Sequence, residues 1–132
     1  MTDYRANYAL CSINEYLGPD EGSLDLSWAT FGGNRTSEYE FSVPVEDVTD
    51  VYVELQAYDV GAFGHEIVLN GEALGGFDIP PGSGWQYWMD SPAEMPLQAG
   101  ENTLCIRRDE DSRDAFAIGT VVVNWKEVRE SE

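Results

Sequence analysis

Residues 50–58 read DVYVELQAY, and their alternation decides the fold class. Successive side chains of a strand point to opposite sides. Val51, Val53, Leu55 and Ala57 therefore share one face, and Tyr52, Glu54, Gln56 and Tyr58 share the other. The first row is core. The second is either an exposed sheet face or a surface turned toward a ligand. The same period runs outward along the chain. YRANYALCSI (4–13) is a short β-rich segment, and LDLSWATF (24–31) sets Leu24, Leu26 and Trp28 against Asp25 and Ser27. After a GGN turn at 32–34, TSEYEFSV puts Tyr39, Phe41 and Val43 on one face, and Pro44 ends that strand or marks it as an edge.

HEIVLNGEAL (65–74) is a hairpin, with Asn70-Gly71 supplying the positive φ angles of a type I′ turn. FDIPPGSG (77–84) is a loop by its prolines and glycines, and WQYWMD (85–90) is extended again. QAGENTLCIRR (98–108) is a turn followed by a strand with Leu104 and Ile106 inward, and RDEDSRD (108–114) is a charged loop. In AFAIGTVVVNW (115–125) the apolar phase moves from Phe116 and Ile118 to Val121, Val123 and Trp125. Gly119 stands where a bulge would produce that shift. No segment holds a helical repeat beyond one turn. About nine strands without repeats or linkers predict an all-β protein, a single antiparallel β-sandwich domain over residues 1–132.

Charge is the most unusual property: 25 acidic residues stand against 7 basic ones, a formal net charge of −18, and Lys126 is the one lysine. Self-repulsion of this size penalises a compact state in dilute salt. At roughly 1 M salt the Debye length falls to about 3 Å and most of the penalty is screened. The acids are spread along the chain, as on a solvated surface tuned to a salt-rich cytoplasm. Phosphate backbones would be repelled, so nucleic acid is not an expected partner. There is no long apolar run to span a membrane. The start, MTDYRANYALCSINEY, lacks the basic end and apolar stretch of a leader, so a cytoplasmic location is expected. Cys11 and Cys105 are then expected as free buried thiols.

The succession EIVLNGEAL, a Pro/Gly loop, WQYW, LQAGENTLCI and DAFAIGTVVVNW resembles the galactose-binding-like jelly roll. In that fold a strand ends in an Asn-Gly hairpin, and a turn like Leu97–Asn102 leads into the penultimate strand. The last strand often opens with an aspartate and an aromatic, here Asp114 and Phe116. The resemblance spans roughly residues 36 to 125 and rests on turn and core positions. It implies a jelly-roll fold of the carbohydrate-binding-module type. Such modules are usually exported, joined to a catalytic domain, and often hold calcium near the first and last strands. The whole chain also resembles a small uncharacterised family of acidic proteins from halophilic archaea, which implies no activity.

Three stretches offer chemistry. In GSGWQYWMD (82–90), Trp85 and Tyr87 share a face and Trp88 lies opposite. Sugars stack apolar ring faces on aromatics while amides and carboxylates take their hydroxyls, so Trp85, Gln86, Tyr87 and Asp90 are candidate ligand-binding residues. The competing reading seals the core edge with the same rings. In DVGAFGHEI (59–67), Gly61 and Gly64 would let a loop carrying Phe63 approach a ligand, or simply shape a connection. His65, the single histidine, has no nucleophile beside it and reads as structural. Asp109, Asp111 and Asp114 could hold a structural calcium through loop oxygens, although Arg107, Arg108 and Arg113 compete for those carboxylates. No GxSxG, P-loop, dinucleotide fingerprint or HExxH motif is present, so no enzyme is expected. The expected function is a non-catalytic, galactose-binding-like module for a carbohydrate or other polyhydroxylated ligand, contacted by Phe63, Trp85, Gln86 and Tyr87. The alternative is a protein-interaction or self-assembly module, a homodimer included, with Tyr52, Tyr58 and the 85–88 aromatics in its interface.

Overall fold

In a computed structural model the described residues are 2–74, 78–91 and 97–130. Phe77, the first residue of the expected 77–84 loop, lies outside them. Nine strands follow in chain order: β1 (Thr2–Leu17), β2 (Thr30–Gly33), β3 (Tyr39–Val43), β4 (Val48–Val60), β5 (Glu66–Leu69), β6 (Glu72–Ala73), β7 (Gly82–Asp90), β8 (Gly100–Arg107) and β9 (Phe116–Glu130). They form a five-stranded sheet of order β2-β1-β9-β4-β7 and a four-stranded sheet of order β3-β8-β5-β6. Every pairing is antiparallel except β1 with β2.

The alternation of β4 is realised. Val53, Leu55 and Ala57 are buried against Val121 and Val123 of β9, and Ile67, Leu69, Leu104 and Ile106 close the core from the other sheet. The Asn70-Gly71 hairpin has φ values of 51° and 82°, as a type I′ turn requires. Buried Asn102 ties the preceding turn together, accepting from Gln98 N at 3.0 Å and donating to the Gln98 and Gly100 carbonyls at 2.9 and 3.1 Å. Gly119 sits at two register irregularities, between Ser12 and Glu15 of β1 and between Leu55 and Ala57 of β4. The extra residue turns Ile118 and Val121, three apart, onto the same core face.

Two segments depart from expectation. β1 is not short: it runs to Leu17, and across an irregularity carrying Asn14 at φ 50° it keeps Cys11, Ile13, Glu15 and Leu17 on the buried side. Of residues 24–31, only Thr30 and Phe31 lie in a strand. Glu21–Ser23 form one 3₁₀ turn, and regular pairing starts only at Thr30. The alternation there reports packing on two sides rather than a hydrogen-bonded ladder. Trp28 lies on the outside of the five-stranded sheet and not in the core.

Candidate functional site

Register puts the side chains of β7 on defined faces. Trp85 pairs with Tyr58, Tyr87 with Gln56 and Met89 with Glu54, and all six belong to the outer face of the five-stranded sheet. Gln86, Trp88 and Asp90 pair with Ala57, Leu55 and Val53, whose side chains enter the core. Of the expected ligand residues, the fold therefore brings Trp85 and Tyr87 together and turns Gln86 and Asp90 away. The Gln86 amide donates to the Pro80 carbonyl, and Asp90 accepts from Ser91 N at 2.8 Å. Phe63 is exposed in the β4–β5 loop, where the chain crosses between sheets at the end of the sandwich.

The outer face holds an aromatic cluster that strand alternation alone does not reveal. Trp28 reaches in from the 24–29 segment and stacks on Trp85, with ring centroids 4.9 Å apart and planes 33° from parallel. Tyr58 stands edge-on to both, 5.3 Å from Trp85 and 6.3 Å from Trp28. Trp85 extends across β4 to lie over Gly119 of β9, where a side chain would find its ring 3.3 Å away. The tryptophan is held on three sides and still 53% exposed. Rings in this arrangement attract one another beyond their area burial. The cluster is therefore mutually braced and partly open.

Beside it a recess is lined by Glu54, Gln56, Tyr87, Thr120 and Val122. Its polar groups are a carboxylate, an amide and hydroxyls, and Glu54 accepts from Asn124 Nδ2 at 2.8 Å. Aromatic faces flanked by hydrogen-bonding groups suit a ligand with an apolar side and hydroxyls. Tyr4, Tyr8 and Leu10 of β1 continue the exposed apolar surface across the sheet.

The histidine is enclosed and hydrogen-bonded through both ring nitrogens. His65 is buried and stacks on Phe116 with centroids 4.1 Å apart. Its Nδ1 accepts from Asp109 N at 3.0 Å, so Nε2 carries the hydrogen it shares with Asp114 Oδ2 at 2.7 Å. Asp114 also accepts from Gly61 N and Ala62 N, at 2.9 and 3.1 Å. A side chain at Gly61 would stand 2.7 Å from the Asp114 carboxylate, and one at Gly64 the same distance from Asp109. The two glycines leave room for those carboxylates.

The aspartates expected to hold calcium make contacts within the protein. Asp114 is committed to the β4–β5 loop, and Asp109 Oδ1 accepts from Asp111 N at 3.0 Å. Among the described residues, no group of three or more His, Cys, Asp or Glu side chains gathers to hold a metal ion. Arg108 donates to the Ser112 carbonyl and to Asn34 Oδ1, both at 2.7 Å, instead of neutralising the aspartates. Cys11 and Cys105 are free and buried, and burial raises both thiol pKa values.

A buried carboxylate, Glu15, lies where β1 meets the 35–39 segment. It accepts from Tyr39 Oη at 2.7 Å and from Ser37 N at 3.3 Å. Burial, with the Glu15 hydrogen bond, pushes the Tyr39 hydroxyl up to about 12. Among the described residues no helix is long and apolar enough to cross a membrane.

With this geometry established, the chain belongs to a family described as "Family of unknown function (DUF7383)", whose model matches residues 5–127. No curated protein matches it. Among solved structures it is similar to the CBM36-1 domain of a multidomain xylanase from the hindgut metagenome of Trinervitermes trinervoides. The two are 12% identical with a TM-score of 0.55, and the match covers 96% of this chain and 99% of that one. The likeness shows the fold, a β-sandwich of the jelly-roll type found in a carbohydrate-binding domain.

Proposed function

We propose that this chain is a non-catalytic binding module whose ligand lies on the outer face of the five-stranded sheet, against Trp28, Tyr58, Trp85 and Tyr87. The ligand class is a carbohydrate or a related polyhydroxylated molecule. One observation carries the reading: Trp85 is braced by two aromatic neighbours and by Gly119, yet remains 53% exposed. A ring that served only to seal the core would be covered. Pre-organised aromatics lose little freedom on binding, which favours affinity, and Gln56, Thr120 and Glu54 stand within the same recess to meet hydroxyl groups. The jelly-roll likeness supplies a scaffold compatible with this role and no ligand identity.

A panel of oligosaccharides and polysaccharides screened in molar KCl tests the reading. Binding of at least one neutral glycan, quenching tryptophan fluorescence as it binds, is expected. Absence of binding across a broad panel would sink the proposal.

A further inference from the structure

We infer that β7 is a homodimerisation edge, along which two copies of this chain pair antiparallel to make one continuous sheet. The inference is independent of the carbohydrate reading and rests on the edges of the sandwich. Among the described residues the free edges are β2 and β7 in one sheet and β3 and β6 in the other. Exposed edges invite pairing with other chains, and proteins blunt them with charge, proline, bulges or brevity. β2 and β6 are four and two residues long. β3 carries Glu40 and is followed by Pro44.

β7 has no such device between its first residues and Asp90 at its end. An irregularity near Asp59 and Gly84 bends its start, where Gly84 N donates to Asp59 Oδ1 at 2.6 Å. From Trp85 to Asp90 it pairs without interruption to β4, a regular stretch of about 20 Å at the usual rise per residue. No described strand pairs with its other side.

Charge selects the occupant. The chain carries −18, so two copies repel over most of their surface, yet residues 82–89, GSGWQYWM, contain no charged side chain. An uncharged edge is where a second copy can approach without setting carboxylate against carboxylate. An antiparallel strand pair is also self-complementary about a two-fold axis. The pairing would join two five-stranded sheets and bring the exposed Tyr87 and Met89 of each copy beside those of the other.

Sedimentation of the full chain in molar KCl, with a proline scan of Tyr87, Trp88 and Met89, tests this. Adjacent residues of a strand direct their N–H groups to opposite sides, so proline is tolerated by the fold where the amide faces the free edge. The parent is expected to sediment as a dimer that dissociates on dilution and weakens as salt is lowered. Thermal midpoints and dimer fractions should alternate in opposite phase along the scan. Prolines that leave the midpoint near that of the parent should shift the chain to monomer. A parent that stays monomeric at every concentration overturns the inference and leaves the edge to some other partner. So does a dimer that survives every tolerated proline.

Discussion

Trp85 lies over the backbone of Gly119, two strands away across the sheet, and a Cβ at Gly119 would meet the Trp85 ring at 3.3 Å and Gln56 Oε1 at 3.0 Å. The glycine thus serves both the bulge that sets the phase of β9 and the seat of the exposed tryptophan. Gly119→Ala should lower stability by about 1 kcal/mol, because Gln56 can swing aside while the braced ring must tilt. Tryptophan emission should shift even where the fold is retained. An unchanged spectrum and midpoint would mean that the ring is not seated there.

Truncating Trp85 itself should have an intermediate effect. The ring is half exposed, so the loss on Trp85→Ala should be about 1–2 kcal/mol, below the 3–5 kcal/mol typical of a buried tryptophan. Chemical denaturation in molar KCl reads this directly. A loss at the core-like end would turn the cluster into structure and remove the ligand reading.

Asp114 is expected to be among the most sensitive polar positions. Its carboxylate takes Gly61 N, Ala62 N and His65 Nε2. Asp114→Ala would strand these donors and should cost about 2–4 kcal/mol. Amide exchange at Gly61 and Ala62 should accelerate. A neutral outcome would mean that water replaces the carboxylate without penalty.

These residues show where the sequence was informative. The β4 alternation, the Asn70-Gly71 hairpin and the Gly119 bulge are local patterns, and each is realised as the spacing predicts. The Asp114 network joins residues 49 to 53 positions apart, and nothing in either segment alone announces it. Half of the aromatic cluster was legible, since Trp85 and Tyr87 share a face by strand geometry. Trp28 was misplaced because period-two alternation cannot distinguish a strand from an irregular segment packed on a sheet. Gln86 and Asp90 have suitable chemistry for a ligand, but the same alternation that joins Trp85 to Tyr87 turns them away.

Tyr39 gives the chain an alkaline limit. Its folded-state pKa of about 12 lies above the unfolded value near 10. The folded state therefore holds this proton more tightly. The stabilisation is complete below pH 10 and lost as pH rises toward 12. Tyr39→Phe should flatten that part of the stability–pH curve relative to the parent. A mutant that loses stability just as steeply would place the titration elsewhere.

Glu40 and Glu101 give a local test of salt tuning. They lie close on the exposed side of the four-stranded sheet, and their shared hydrogen bond raises the Glu40 pKa above 4.5. Its folded pKa is raised, so this group contributes stability below the unfolded value and loses it as pH rises. Glu101→Gln should therefore raise the thermal midpoint at neutral pH in dilute buffer. The gain should fade in molar KCl, where the Debye length is about 3 Å. An equal gain at both salt concentrations would show that repulsion between the two is not the cause.

The most direct test of the central claim is the affinity of the best glycan from the panel for the parent, Trp85→Ala and Trp28→Ala, at fixed molar KCl. The account predicts at least a tenfold loss in both variants, about 1.4 kcal/mol, with folding retained. Binding that survives both substitutions would contradict it and move the site away from the outer face of the sheet.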